Sequence, residues 1–232
     1  MMGSVKKILV VQSRTQPERI ERERANFTRA IGDKAEVVFL SALDERLSWT
    51  SPDEFLKGYD GVIFGGSSDF DFDGGRPEED PARLMSLMIL SRAKNIIAHA
   101  LAARVPVLGV CFGHQIIAQM HGGKVRNDQT QNKFGAFEVS LTGEGKRDPL
   151  FSVLPPRFFA QYAHKDSATT LPEGATLLAT GETCRFSALR YGANTYTVQF
   201  HPEVERFPAG GRSHDSPESS KLIGLWIERI LG

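Results

Sequence analysis

Residues 105–121 read VPVLGVCFGHQIIAQMH, and their interpretation decides the fold. Val105–Val110 is a short, almost wholly apolar run of the kind found in parallel strands buried on both faces. Phe112 to His121 then reads as a helix. At the junction stands Gly109-Val110-Cys111-Phe112-Gly113, a Gly-x-nucleophile-x-Gly sequence that reads as a nucleophile elbow. The bend is tight and strained, so small residues on either side relieve its crowding. It lifts the central side chain clear of the sheet edge and sets it by a helix N-terminus. The partial positive charge there favours thiolate over thiol. The backbone N–H of Phe112 is left free to bind an oxyanion.

Upstream, the same alternation repeats. Lys7–Val11, Ala35–Leu40 and Gly61–Phe64 read as buried strands. Pro17 opens a charged helical stretch, Glu18 to Ile31, closed by Gly32, and the charged run Glu18 to Arg24 reads as a solvated helix face. Ser51-Pro52-Asp53-Glu54 has the form of an N-cap with Pro at the first helical position. A long helix is expected over Pro81 to Arg104, with Leu84, Leu87, Met88, Leu90, Ile97 and Leu101 at helical spacing. Repeated β-α-β units imply a parallel sheet covered by helices on both faces. Downstream the character changes. Phe137–Leu141, Arg157–Tyr162, Thr176–Thr180, Ser187–Tyr191 and Thr195–Phe200 are short strands joined by turns, which suggests an antiparallel extension of the sheet. After a Gly/Pro/Ser-rich loop over 207–213, Ser216-Pro217-Glu218 starts a C-terminal helix to about Leu231. With no internal repeat, low-complexity tract or linker, a single domain over residues 1–232 is expected.

Charge excludes several classes of partner. Lys plus Arg and Asp plus Glu both number 28, so the formal net charge is zero. Neither nucleic acid nor an anionic membrane has an electrostatic claim on such a chain. No basic stretch interleaves with aromatics either. The apolar run Ile8–Val11 is too short for a signal-peptide core, and nothing approaches the ~20 apolar residues of a membrane span. A cytoplasmic protein is expected. The two cysteines, Cys111 and Cys184, make a poor disulfide framework and a poor metal site. Composition alone reads both as buried, reduced thiols; the elbow glycines overturn that for Cys111 and leave it standing for Cys184.

A second signal is TVQFHPE, residues 197–203. Side chains two apart on an extended segment face the same side, so His201 and Glu203 can address one site. Pro202 biases His201 away from helical geometry. A base held by a carboxylate, with a nucleophile elsewhere in the chain, satisfies the logic of a nucleophile-base-orienter triad. A third signal is Gly65-Gly66 after the Gly61–Phe64 strand. Parallel strands end at one edge, where ligands sit. The Gly66 N–H is then either a second oxyanion donor opposite Phe112 or part of an ordinary β-to-α turn. Asp69-Phe70-Asp71-Phe72-Asp73-Gly74 with Asp80 matches only part of a calcium-loop pattern, because Asp80 stands where Glu is expected and the loop follows a strand. It reads as an acidic flap facing the substrate or as a solvated loop. His114 is expected to pack on the elbow helix.

CFGHQ at 111–115 and QFHPE at 199–203 resemble the paired signatures of the class I, triad-type glutamine amidotransferases, and GVIFGGSSD at 61–69 is similar to that family's strand and oxyanion loop. The resemblance implies a flavodoxin-like α/β three-layer sandwich with a mostly parallel central sheet and an antiparallel extension. By that resemblance Cys111 is the nucleophile, His201 the general base and then acid, and Glu203 the residue that orients it. Gln115 corresponds to a residue that contacts bound glutamine. Ala163-His164-Lys165-Asp166 looks like the family's substrate-side segment, with His164 as a substrate contact. Ser67 stands where the family often has Pro, and Lys165 where it frequently has Gly. The implied reaction is attack of Cys111 on the γ-carboxamide of glutamine or of another γ-glutamyl compound, a thioester, and release of glutamate by water, with no metal or organic cofactor. No P-loop and no acceptor domain is found. Two readings follow: a glutaminase that hands ammonia to a separate synthetase partner, or a stand-alone enzyme resembling the γ-glutamyl peptidase branch. A silent binding protein on the same fold has no reason to retain Cys111, His201 and Glu203 together.

Overall fold

The protein is represented by a computed structural model that describes residues 5–44, 54, 56–72, 77–207 and 214–232. The expected cap at Ser51–Asp53, the end of the acidic loop at Asp73–Gly74 and most of the 207–213 loop lie outside the described residues. In chain order the strands and main helices are β1 (Lys6–Gln12), α1 (Pro17–Ile31), β2 (Ala35–Ser41), β3 (Gly61–Phe64), α2 (Pro81–Ala102), β4 (Val107–Val110), α3 (Phe112–Met120), β5 (Val125–Asn127), β6 (Lys133–Leu141), β7 (Arg157–His164), β8 (Asp166–Ala168), β9 (Ala175–Gly181), β10 (Ala188–Tyr191), β11 (Thr195–Val198), α4 (Pro217–Ser220) and α5 (Leu222–Trp226).

Among the described residues nine strands form one sheet in the order β2-β1-β3-β4-β11-β10-β9-β6-β7. The first five are parallel, and the rest pair antiparallel. The expected α/β sandwich with an antiparallel extension is what the chain builds. Alternation along β1 shows the layering. Ile8 and Val10 join a core with Phe27, Ile31, Leu222 and Trp226, whereas Leu9 and Val11 join one with Ile89, Ile96, Ile97 and Ile116. Successive strand residues point to opposite faces, so α1 and α5 cover one face and α2 and α3 the other. Trp226 is fully buried, and Gly61 makes room for it: a methyl there would lie 2.7 Å from the indole.

Three local differences have physical causes. Strand β6 begins at Lys133, four residues before the expected start, because Lys133–Gly135 pairs in register with His164–Tyr162. A lysine does not read as a buried strand residue, yet Lys133 is buried with Nζ 4.6 and 4.7 Å from the ring centres of Phe137 and Tyr162, a cation–π environment. In α2 the inward positions are Ile89, Ala93, Ile96, Ile97 and Ala100, while Leu84, Leu87 and Met88 are exposed. The helix is apolar on more than one side, so periodicity alone could not select the buried stripe. The C-terminal helix is broken into α4, α5 and a π turn over Ile227–Leu231. Among the described residues no helix is long and apolar enough to cross a membrane.

Candidate active site

The carboxyl ends of β1, β3, β4 and β11 lie at one edge of the sheet, and the chain leaving them carries Arg14, Gly66, Cys111 and His201. Cys111 follows β4 directly. Its backbone is left-handed, with φ +51° and ψ −95°, a conformation that costs a non-glycine residue about 1–3 kcal/mol. The strain is held by surroundings that fix both ends of the turn. The Cys111 N–H donates to Val198 O at 2.8 Å, tying the elbow to β11, and its carbonyl accepts from the Gln115 N–H at 3.1 Å. Both flanking glycines are required by close approach. A methyl on Gly109 would sit 2.9 Å from the Gly113 backbone, and one on Gly113 would sit 2.5 Å from the Phe64 carbonyl oxygen.

His201 and Glu203 follow β11 in a β-turn, closed by the Val204 N–H donating to His201 O at 3.1 Å, instead of the extended segment expected from the sequence. His201 Nδ1–H donates to Glu203 Oε1 at 2.6 Å, and both side chains are buried. The Cys111 side chain acts electrostatically on the imidazole as well, while its sulfur lies 3.9 Å from the Ala163 carbonyl oxygen. With Nδ1 committed to Glu203, Nε2 is the nitrogen left for the sulfur. Burial works against a charged imidazole here, but the Glu203 carboxylate, the nearby Cys111 and the hydrogen bond to Glu203 outweigh it and raise His201 to about 10. The segment is pinned from β7: the His201 N–H donates to Gln161 O at 2.8 Å, and Gln161 Nε2 donates to the carbonyls of Glu205 and His214.

Gly66 closes the opposite wall. A methyl there would lie 2.8 Å from His201 Cε1 and 3.5 Å from Cys111 Cβ, so no side chain fits between this backbone and the imidazole. A cavity of about 300 Å³ opens beside Cys111, lined by Ser67, Gln115, Lys133, His164 and Asp166 among others, large enough for an amino-acid-sized ligand. Gln115 is held there by donating from Nε2 to the Asp166 carbonyl at 2.6 Å. His164 shares a 2.9 Å hydrogen bond with the Gln131 carbonyl, and burial together with Lys133 and His201 lowers it to about 4, so it stands neutral.

The acidic loop is pulled in two directions. Asp69 accepts from the Thr15 N–H and hydroxyl and from Arg19, at 2.8–2.9 Å. Asp71 lines the cavity, and the Phe72 N–H donates to Asp166 Oδ2 at 2.8 Å. Among the described residues no group of three or more His, Cys, Asp or Glu could hold a metal ion. His114 is fully buried away from the cavity, hydrogen-bonded to Thr197 Oγ1 at 2.9 Å and lowered to about 3 by burial and the nearby His164. Cys184 is buried, its thiol pushed up to about 11 by burial.

The sequence reading missed Lys133 and Arg14. Lys133 had no signal, since nothing marked a strand at 133. Arg14 could have been found, because it follows β1 at the same sheet edge where Gly66 and Cys111 were already placed.

Comparison with known proteins agrees with this architecture. The profile of the class-I glutamine amidotransferases matches residues 42–214. The chain belongs to that family. One subunit of the glutamine-hydrolysing GMP synthase of Sulfurisphaera tokodaii is 32% identical over 160 residues, 68% of this chain and 75% of the relative. Its counterpart from Methanocaldococcus jannaschii is 37% identical over 116 residues, 50% of this chain, and the match spans only 60% of that relative's length. A glutamine amidotransferase from Thermotoga maritima superposes with a TM-score of 0.60 at 22% identity, over 96% of this chain and 81% of that one. A candidate GMP synthase subunit from Thermoplasma acidophilum gives 0.72 at 22%, over 97% and 94%. At these identities the two structures speak for the fold alone.

Proposed function

We propose that the chain hydrolyses a γ-glutamyl amide through a thioester on Cys111. The observation that carries this reading is the placement of His201 between Glu203, at 2.6 Å, and a cysteine on a strained elbow. The Cys111 sulfur attacks the γ-carbonyl carbon, forming the C–S bond. The backbone N–H groups of Gly66 and Phe112 hold the oxyanion, each such donor contributing about 2.7–4 kcal/mol. The C–N bond then breaks as the His201 imidazolium gives its proton to the departing nitrogen, for which its elevated proton affinity keeps it loaded. Water, deprotonated by the same imidazole, attacks the thioester and releases glutamate. Glu203 orients His201, while Gln115 and His164 contact the γ-glutamyl half in the cavity beside Cys111.

The relatives are described as subunits of a glutamine-hydrolysing synthase, which supports glutamine as substrate and delivery of ammonia to a separate synthetase partner. A second reading, a stand-alone γ-glutamyl peptidase that releases an amine, is favoured by a further cavity on the His201 side that ammonia would not need. The test is to incubate purified wild-type protein and Cys111→Ala with glutamine, glutathione and other γ-glutamyl compounds and to measure glutamate. Turnover by the wild type alone is expected, and equal activity of Cys111→Ala would sink the nucleophile assignment. Turnover that begins only when a synthetase partner is added selects the first reading over the second.

A further inference from the structure

A second cavity, of about 270 Å³, adjoins the first and is lined by Arg14, Arg19, Arg22, Asn26, His201 and Phe207 among others. The two share Ser67, Ser68 and Ala163 as walls, and the reacting pair divides them: Cys111 lines the first cavity and His201 the second. The scissile nitrogen must face the group that protonates it. Whatever that nitrogen carries therefore extends across His201 into the second cavity.

That cavity is built for negative charge. Among the described residues three guanidinium groups line it against two carboxylates, Glu23 and Glu203, and Glu203 belongs to His201. Arg14 sits 2.9 Å from the buried Glu23 and donates to Ser68 Oγ at 3.1 Å, and its Nη2 would lie 3.4 Å from a methyl on Gly66, so it borders the reaction point itself. Arg19 pairs with Asp69 at 2.8 Å. Arg22, exposed on α1, makes no ion pair among the described residues. Phe207 gives one apolar wall, its ring 5.9 Å from that of His201. A planar guanidinium with an unused edge suits a carboxylate.

We infer that this cavity is the leaving-group subsite, and that it takes the amine half of a γ-glutamyl amide when that half carries a carboxylate. The inference rests on the reading of Cys111 as nucleophile and specifies its nitrogen side. In the step, the C–S bond forms and the C–N bond breaks, the His201 proton goes to nitrogen, and the amino acid or peptide departs as a free amine. No oxidant or reductant is required. Ammonia leaves glutamine by the same step with the subsite unfilled.

The test compares γ-glutamylglycine with γ-glutamylglycinamide, which match in length and differ by one negative charge. Calorimetric binding to Cys111→Ala protein reads the subsite without catalysis. The acid is expected to bind about tenfold more tightly than the amide, the size of one charge-assisted contact. Arg22→Gln is expected to remove most of that preference and Arg22→Lys to keep part of it. Arg22 is chosen because Arg14 and Arg19 hold Glu23 and Asp69, so their loss would also disturb the fold. Equal affinities in the parent, no binding of either compound, or an equal loss of both in Arg22→Gln would overturn the subsite. In the Cys111-containing protein, kcat/KM should show the same preference. Hydrolysis of both compounds at equal efficiency would remove the subsite and leave the nucleophile standing. A binding preference with no hydrolysis of either would do the reverse.

Discussion

Gly66→Ala is the perturbation whose size the structure fixes best. The added methyl would stand 2.8 Å from His201 Cε1, against an ordinary carbon–carbon contact of about 3.5–4.0 Å. Something must open by about 1 Å. The imidazole cannot easily yield, because Nδ1 is held 2.6 Å from Glu203 and the His201 N–H is tied to Gln161. Cys111 Cβ, at 3.5 Å, blocks retreat on the other side. If Cys111 and His201 react as proposed, a displacement of this size lowers rate by about 100-fold. Overpacking of this kind destabilises by about 1–3 kcal/mol, and each kcal/mol lowers Tm by about 2–4 °C in a chain of this length. The variant should thus fold and fail. The assay is glutamate release from glutamine and the alkylation rate of Cys111 by iodoacetamide, with thermal unfolding as control. Wild-type kcat and alkylation in a folded Gly66→Ala would refute the close approach of Gly66 to His201 and Cys111.

Other outcomes follow from the same geometry. Gly113→Ala meets backbone, the Phe64 carbonyl at 2.5 Å, and should lower Tm more than Gly66→Ala does; an unchanged Tm would contradict the packing of the elbow against β3. His201 is raised to about 10, so the stability contributed by its imidazolium is fully present below about pH 6.5 and is lost as pH rises towards 10. Glu203→Gln removes the charge responsible, so unfolding curves from pH 6 to 10 should show that loss at lower pH than in the wild type. His114 is depressed to about 3, so it favours the fold above about pH 6.5 and that contribution falls as the medium is acidified towards pH 3. Replacing it with Gln should flatten the acid limb of the stability curve by up to about 1.4 kcal/mol per pH unit; an identical limb in both proteins would mean that His114 is protonated in the fold.

Legibility in the sequence followed how local the causes were. The parallel half was readable because β1, β3 and β4 are short apolar runs that need both faces covered, and because glycine at 109 and 113 marks a turn where backbone meets backbone. The pairing of His201 with Glu203 was readable from HPE, but its cause was not. The segment is a β-turn closed by the Val204 N–H donating to His201 O at 3.1 Å, so the two side chains meet across a turn and not by alternation along an extended chain. Lys133 was not readable, since its place in β6 depends on the Phe137 and Tyr162 rings contributed by two strands. The short pair β5 and β8 was missed because three residues carry no period. In α2, apolar residues on more than one side hid the buried stripe, which only the sheet beneath it selects. The arginine cavity was hidden for a related reason. Its walls come from α1, β7 and the loops after β1, β3 and β11, and the charged run of α1 by itself is indistinguishable from a solvated face.

The central claim is that Cys111 carries the γ-glutamyl group. The direct measurement is to mix wild-type protein with a γ-glutamyl substrate, quench in acid and locate the acyl adduct by peptide mass spectrometry. The account predicts a γ-glutamyl mass on the peptide containing Cys111, discharged by hydroxylamine and absent from Cys111→Ala. Glutamate released at full rate with no adduct on that peptide, or with the adduct on Cys184, would contradict it.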